Sequence, residues 1–324
     1  MNTPLFLSFI KSDIQEFDAR FKKELSSKKS LLSLITSYIL KTKGKQIRPS
    51  LVFLSARLIG SVTEASYSAA FMIELMHTAT LLHDDVVDNS MKRRGFFSVN
   101  ALWKNKISVL VGDYLLAKGL LHAIETNHIE LLKIISTAVK DMSEGELLQI
   151  EKAKLVSNSE DIYFQIIEKK TASLFVAAML SGAHSTGNLQ EKDAEKLKKI
   201  ALLLGVAFQI KDDVLDYSKT SVIGKPIWND LKEKKITLPL LHALKQVSKK
   251  EQLHIKKLLK GHKNNPKKLQ EIVNFIMQHN GIEYAEAKIE ELCSEAKQIV
   301  YTFSHNEAQE ALVSLIDYIC TRKK

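Results

Sequence analysis

The stretch Ala69-Ala70-Phe71-Met72-Ile73-Glu74-Leu75-Met76-His77-Thr78-Ala79-Thr80-Leu81-Leu82-His83-Asp84-Asp85-Val86-Val87-Asp88 decides the fold. Its partners recur every three or four residues, through Ala69, Met72, Ile73, Met76 and Thr80, which is the period of a helix and not the alternation of a strand. The same period runs through almost the whole chain. Glycine and proline number only 12 and 5 in 324 residues, too few to punctuate a sandwich, a barrel or a doubly wound sheet. Mostly-β folds are excluded. Breaks fall at residues 41–46, 60–63, 89–98, 157–161, 185–189, 218–228 and 261–266, and none has the length or composition of an interdomain linker. The reading is one all-α domain over residues 1–324, a bundle of roughly ten or more helices.

Composition narrows the function. With 45% apolar and 26% charged residues the chain is neither disordered nor, by its longest apolar run at residues 200–208, membrane-spanning. Lysine and arginine number 47 against 37 acidic residues, a net charge of +10 that suits nucleic acid, an anionic membrane surface or an anionic substrate. No helix-turn-helix, zinc finger or aromatic-interleaved basic strand is present in the sequence, so nucleic acid is not the expected partner. Cys293 and Cys320 are too few for a disulfide framework or a thiolate metal site. The chain opens without a signal-peptide pattern, and the expected compartment is the cytoplasm.

The aspartates that close the opening stretch carry the chemistry. Asp84-Asp85-Val86-Val87-Asp88 is echoed by Asp212-Asp213-Val214-Leu215-Asp216, each after an apolar helical run. Residues four apart share a helix face, so Asp84 pairs with Asp88 and Asp212 with Asp216. Like charges so placed repel, and a cation is their natural complement. An all-carboxylate donor set selects a hard ion. Magnesium, which takes one or two carboxylates and completes its shell with water and phosphate oxygens, fits two sparse clusters better than calcium. Two copies suggest opposed helices on one cavity with a metal-bridged diphosphate between them. A di-iron bundle would need glutamates and a Glu-x-x-His spacing that neither cluster has, and His83 is read as a core or supporting histidine.

Cations stand near by. Lys92-Arg93-Arg94-Gly95 follows the first cluster, and Gly44-Lys45-Gln46-Ile47-Arg48-Pro49 sits where a helix begins, with Pro49 suited to its first position. Guanidinium forks and helix N-termini both bind phosphate. Lys170 before Thr171, and Lys225 between Gly224 and Pro226, extend the set.

Taken together, Gly44-Lys45-x-x-Arg48-Pro49, Glu74-x-x-His77, Leu81-Leu82-His83-Asp84-Asp85-x-x-Asp88 with Arg93-Arg94-Gly95, Lys170-Thr171-Ala172, Gln209-x-x-Asp212-Asp213-x-x-Asp216 and Gly224-Lys225-Pro226 resemble the trans-prenyl diphosphate synthases. Order and spacing both match, densely over residues 44–239 and more weakly through Gly281-Ile282-Glu283-Tyr284-Ala285. Two positions depart: Lys43 stands where that family often has a glycine, and Lys234 where Glu-Gly-Lys is usual before Ile236-Thr237-Leu238-Pro239.

The resemblance implies the isoprenoid synthase fold and a medium- or long-chain polyprenyl diphosphate as product, for use as a quinone side chain. It implies that Asp84, Asp88 and Asp212 hold an allylic diphosphate through magnesium, three ions with that substrate bound. Asp85, Asp213 and Asp216 become neighbouring or water-mediated ligands. Arg93, Lys170 and Lys225 would touch the diphosphate oxygens, with Thr171 alongside, while Gln209 steadies the cation. Isopentenyl diphosphate would lie without metal against Lys45, Arg48, His77 and Arg94. Ionisation of the allylic C–O bond, attack by the homoallylic double bond and loss of a proton to the departed diphosphate complete a cycle. The small Ala79 and Thr80, one turn before Asp84, leave room for chains past geranylgeranyl length, to be closed deeper down near Met76 or on a facing helix around residues 114–121. A homodimer with loose membrane association through its product is expected. The alternatives are a short-chain farnesyl or geranylgeranyl synthase, a terpene cyclase, a non-catalytic subunit of a heteromeric synthase, and a basic nucleic-acid binder.

Overall fold

A computed structural model describes residues 4–26, 30–42, 44–93, 95–155, 159–218, 228–262 and 265–322. In chain order, α1 (Leu5–Phe9), α2 (Lys11–Leu25), α3 (Ser30–Lys41), α4 (Ile47–Ile59) and α5 (Glu64–Val87) lead to a hairpin of β1 (Lys92–Arg93) and β2 (Phe96–Phe97). α6 (Val99–Glu125), α7 (Ile129–Leu155) and α8 (Glu160–Ile167) follow, and a π-helical turn, Glu168–Ala172, joins α8 to α9 (Ser173–His184). Then come α10 (Glu191–Ser218), α11 (Asn229–Lys232), α12 (Leu238–Lys245), α13 (Lys249–Gly261), α14 (Pro266–Gln278), α15 (Gly281–Val300) and α16 (Glu307–Thr321). The all-α expectation holds, and the sequence breaks fall at or around the junctions of consecutive helices, except that most of the break at 218–228 lies outside the described residues. What the sequence reading passed over is the hairpin, whose register pairs Lys92 with Phe97 and Arg93 with Phe96.

The chain forms two compact units, and each is assembled from three separate segments. The first holds Met1–Lys140, Leu174–Lys198 and Phe303–Ser314. Its axis is α5, which begins in a capping box between Thr63 and Ser66 and runs for about 36 Å. α2, α4 and α6 pack on it, burying Phe17, Leu51, Phe53, Leu54, Met72, Ile73 and Leu75 completely or nearly so. α6 lies close because Gly119 faces Met76; a Cβ there would stand 2.3 Å from Met76 Cε. By length and composition α6 is apolar enough to cross a membrane. A search for uninterrupted apolar runs misses this, since Lys104, Lys106, Asp113 and Lys118 interrupt it. In the structure α6 packs along α5.

The second unit holds Asp141–Ser173, Lys199–Thr302 and Leu315–Lys324. α12 packs on α14 and α15, and α13 on α14, around Tyr217, Trp228, Leu240, Leu244, Leu269, Ile272 and Ile276. Behind α11, Lys234 has φ of 62°. A side chain is strained there and glycine is not, which accounts for the glycine of the Glu-Gly-Lys pattern at this place.

Candidate active site

At the C-terminal end of α5, Asp84 and Asp88 stand one turn apart and half-buried, and the Asp88 N–H donates to Asp84 O at 2.8 Å. Asp85 points elsewhere: it is 2% exposed and takes Arg93 Nε at 2.9 Å and Nη2 at 2.8 Å. Arg93, read from sequence as a diphosphate contact, is thus the residue that ties the hairpin to α5. Ser98 Oγ adds a bond to Ser90 O at 2.6 Å. Arg94 lies outside the described residues.

The first basic group sits differently from expectation. α4 starts at Ile47, after Gln46 in a left-handed conformation, so Pro49 is its third residue and not its first. The first turn still tolerates it, because no N–H is needed there. This start places Arg48 inside the turn, where its Nη1 donates to His77 Nε2 at 3.0 Å and its guanidinium lies 5.3 Å from the Phe175 ring centroid. The imidazole therefore carries its proton on Nδ1. Arg48 and His77, 29 residues apart in sequence, form one polar pair. Lys45 is exposed in the preceding turn.

In the second unit the π-helical turn carries Lys170 and Thr171. Turns of this kind are rare and often functional. It fits because Gly145 and Gly205 face it: a Cβ at Gly145 would come within 2.8 Å of Lys170 N, and one at Gly205 within 2.4 Å of Ala172 Cα. Lys170 is ion-paired with Glu146. Thr171 Oγ1 donates to Gln209 Oε1 at 2.7 Å, Gln209 Nε2 to Asp213 Oδ1 at 2.8 Å, and Tyr163 OH to Asp213 Oδ2 at 2.7 Å. Gln209 is so oriented by partners on both sides. Asp212 Oδ1 receives Arg322 Nη2 at 2.8 Å, and Asp216 Oδ2 accepts the Asp230 N–H at 2.9 Å. Lys225 lies outside the described residues.

The acidic groups of this unit strain against one another. Burial pushes Asp213 up to about 7, against the pull of its bonds to Gln209 and Tyr163, with the neighbouring Asp212 charge adding to the rise. Burial, then the charges of Asp213 and Asp216, push Asp230 up to about 8. Excess negative charge in a carboxylate-only donor set fits a divalent hard cation. Among the described residues no three His, Cys, Asp or Glu side chains converge as a metal site by themselves, so phosphate oxygens and water would complete any shell.

A family model described as Polyprenyl synthetase matches residues 29–276. The chain belongs to the polyprenyl synthetase family. It is similar to an octaprenyl diphosphate synthase of Haemophilus influenzae, 34% identical over 305 residues that cover 94% of this chain and 92% of the relative. An all-trans-nonaprenyl-diphosphate synthase (geranyl-diphosphate specific) of Rhodobacter capsulatus is 33% identical over 311 residues, 95% of this chain and 94% of that one. Among solved structures, a polyprenyl synthase from Caulobacter crescentus complexed with calcium and isoprenyl diphosphate has a TM-score of 0.91 at 30% identity, covering 100% of both chains. This polyprenyl synthetase is accordingly a prenyltransferase with the all-α isoprenoid synthase fold.

Sequence reasoning missed Tyr163, Glu146, Phe175 and Arg322, which hold Asp213, Lys170, Arg48 and Asp212. No spacing signals them, because each partner comes from a distant part of the chain. Of the residues assigned to product length, Ala79 and Met76 are buried, and Thr80 is half-buried with its Oγ1 donating to His77 O at 2.9 Å.

Proposed function

We propose that the chain, acting as one all-helical domain over residues 1–324, condenses isopentenyl diphosphate with an allylic diphosphate into a medium- or long-chain all-trans polyprenyl diphosphate, for a quinone side chain. The observation that carries this reading is the pair of complete aspartate motifs, each at the C-terminal end of a long helix with its first and last carboxylates four residues apart. Asp84, Asp88 and Asp212, with Asp85, Asp213 and Asp216 behind them, are the carboxylates that would hold magnesium. When bound, magnesium, in three ions, supplies charge neutralisation for the leaving diphosphate. Lys170, Arg93 and Lys225 reinforce this at diphosphate oxygens. Thr171 fixes the amide of Gln209, whose oxygen faces developing positive charge. Arg48, His77, Lys45 and Arg94 bind isopentenyl diphosphate without metal, which places the two substrates under separate control.

The octaprenyl and nonaprenyl relatives support the product length, as do the small side chains at Ala79 and Thr80 above Met76. The interleaving of both units along the chain supports a single working domain. An exposed stripe on α6 beyond its break at Lys104, made of Val109, Leu110, Leu120, Leu121 and Ile124, supports a homodimer, since residues at this spacing share one face. Two free cysteines are in keeping with a cytoplasmic enzyme. A loose membrane association follows from the insolubility of a long product. Incubation with labelled isopentenyl diphosphate, farnesyl diphosphate and magnesium tests the reading: products longer than geranylgeranyl are expected, and none in EDTA. A chain that only binds diphosphates, or that cyclises its substrate, would refute it.

A further inference from the structure

The hairpin after α5 is firmly held yet presents apolar side chains outward. Its base is fixed by Arg93 on Asp85, by Ser98 Oγ on Ser90 O and by Tyr38 OH, which donates to Phe97 O at 2.6 Å. Met91, Phe96 and Phe97 are nonetheless 59%, 53% and 55% exposed. Such a cluster marks a surface that meets a partner.

The charges around it select the partner. From Asn89 to Gly112 the chain has no acidic residue and five cations, Lys92, Arg93, Arg94, Lys104 and Lys106. Lys92 reaches over the Phe97 ring, its Nζ 5.7 Å from the centroid, and Lys104, at the break in α6 where φ is 70°, and Lys106 just after it are exposed. Protein interfaces deplete lysine from their centres. Phenylalanines interleaved with lysines are instead the composition of segments that lie in a lipid headgroup region, rings among acyl chains and ammonium groups among phosphates. We infer that the hairpin Met91 to Phe97 is a membrane-docking element that seats this protein on an anionic bilayer. Because Arg93 ties it to Asp85, beside Asp84, docking holds the C-terminal end of α5 at the bilayer.

This inference rests for its purpose on the long-chain reading above, but vesicle binding by substrate-free protein is independent of turnover, so the two can fail separately. The full chain is floated with vesicles of phosphatidylcholine alone or mixed with phosphatidylglycerol. Wild type should float with the anionic vesicles and progressively less as salt rises. The double variant Phe96→Ser/Phe97→Ser should bind about tenfold less or weaker still, with unchanged turnover of farnesyl and isopentenyl diphosphates. In an otherwise native chain Phe97→Trp should add a blue-shifted emission on vesicle addition, a readout independent of how the double variant folds. Wild type that stays at the bottom of the gradient overturns the proposal. So does a double variant that floats like wild type, a Phe97→Trp variant whose emission vesicles leave unmoved, or a double variant that loses only its oligomeric state, which would make the hairpin a protein contact.

Discussion

Arg322, just past the last helix, reaches the first aspartate of the second motif: its Nη2 lies 2.8 Å from Asp212 Oδ1 and 2.8 Å from Phe208 O, with the guanidinium 3.9 Å from the Phe208 ring centroid. A carboxylate assigned to magnesium thus already has a cation supplied by the chain. Asp212 is 42% exposed, so solvent screens part of the attraction. In a double-mutant cycle, Arg322→Ala and Asp212→Asn should couple by about 1 kcal/mol in metal-free urea denaturation. Saturating magnesium should shrink that coupling, because the ion competes for the same oxygen. Additive effects in both conditions would mean that the contact has no energetic weight.

Arg48 is positioned by His77 and Phe175 and not by the aspartates. Arg48→Ala should raise the apparent KM for isopentenyl diphosphate more than that for the allylic substrate, by roughly tenfold or more for one lost charge-assisted contact. Binding of isopentenyl diphosphate by the wild type should persist in EDTA. Equal effects on both substrates would contradict the assignment of separate sites.

Ala79 has no exposed surface, whereas its neighbour Thr80 is half-buried. Both Ala79→Phe and Thr80→Phe should shorten the product. The first should also cost about 1–3 kcal/mol of stability through overpacking, and the second less. Chromatography of dephosphorylated products, with urea midpoints for each variant, separates these effects. An unchanged product distribution in folded, active variants would remove both residues from the lining of the chain.

The helices were legible because apolar spacing and scarce glycine are local signals, and the seven breaks are marked by Gly, Pro, Ser and Asn where helices stop. The aspartate motifs were legible for the same reason. Their supports were not. Tyr163 on Asp213 and Arg322 on Asp212 bridge 50 and 110 residues, and nothing near either residue in sequence marks its partner. The π-helical turn was also hidden, since Lys170-Thr171-Ala172 has ordinary helical composition and only the facing Gly145 and Gly205 make room for it. The misplacement of Pro49 arose from a general preference for the first helical position; Gln46, by turning left-handed, starts the helix two residues sooner.

Lys234 offers a test away from the chemistry. Its φ of 62° strains a residue with a Cβ, so Lys234→Gly should stabilise the protein by about 1 kcal/mol and leave turnover unchanged. A destabilised variant in thermal unfolding would show that the lysine side chain contributes more than its backbone costs.

The central claim is that the two aspartate motifs serve a metal-dependent prenyl transfer, and the most direct measurement is incorporation of labelled isopentenyl diphosphate by wild type, Asp84→Ala and Asp212→Ala proteins with magnesium present. Wild type should build chains beyond geranylgeranyl length, and each variant should lose roughly a hundredfold or more in turnover while its helical circular dichroism is retained. Absence of incorporation by the wild type, or near-normal turnover in both variants, would contradict the account.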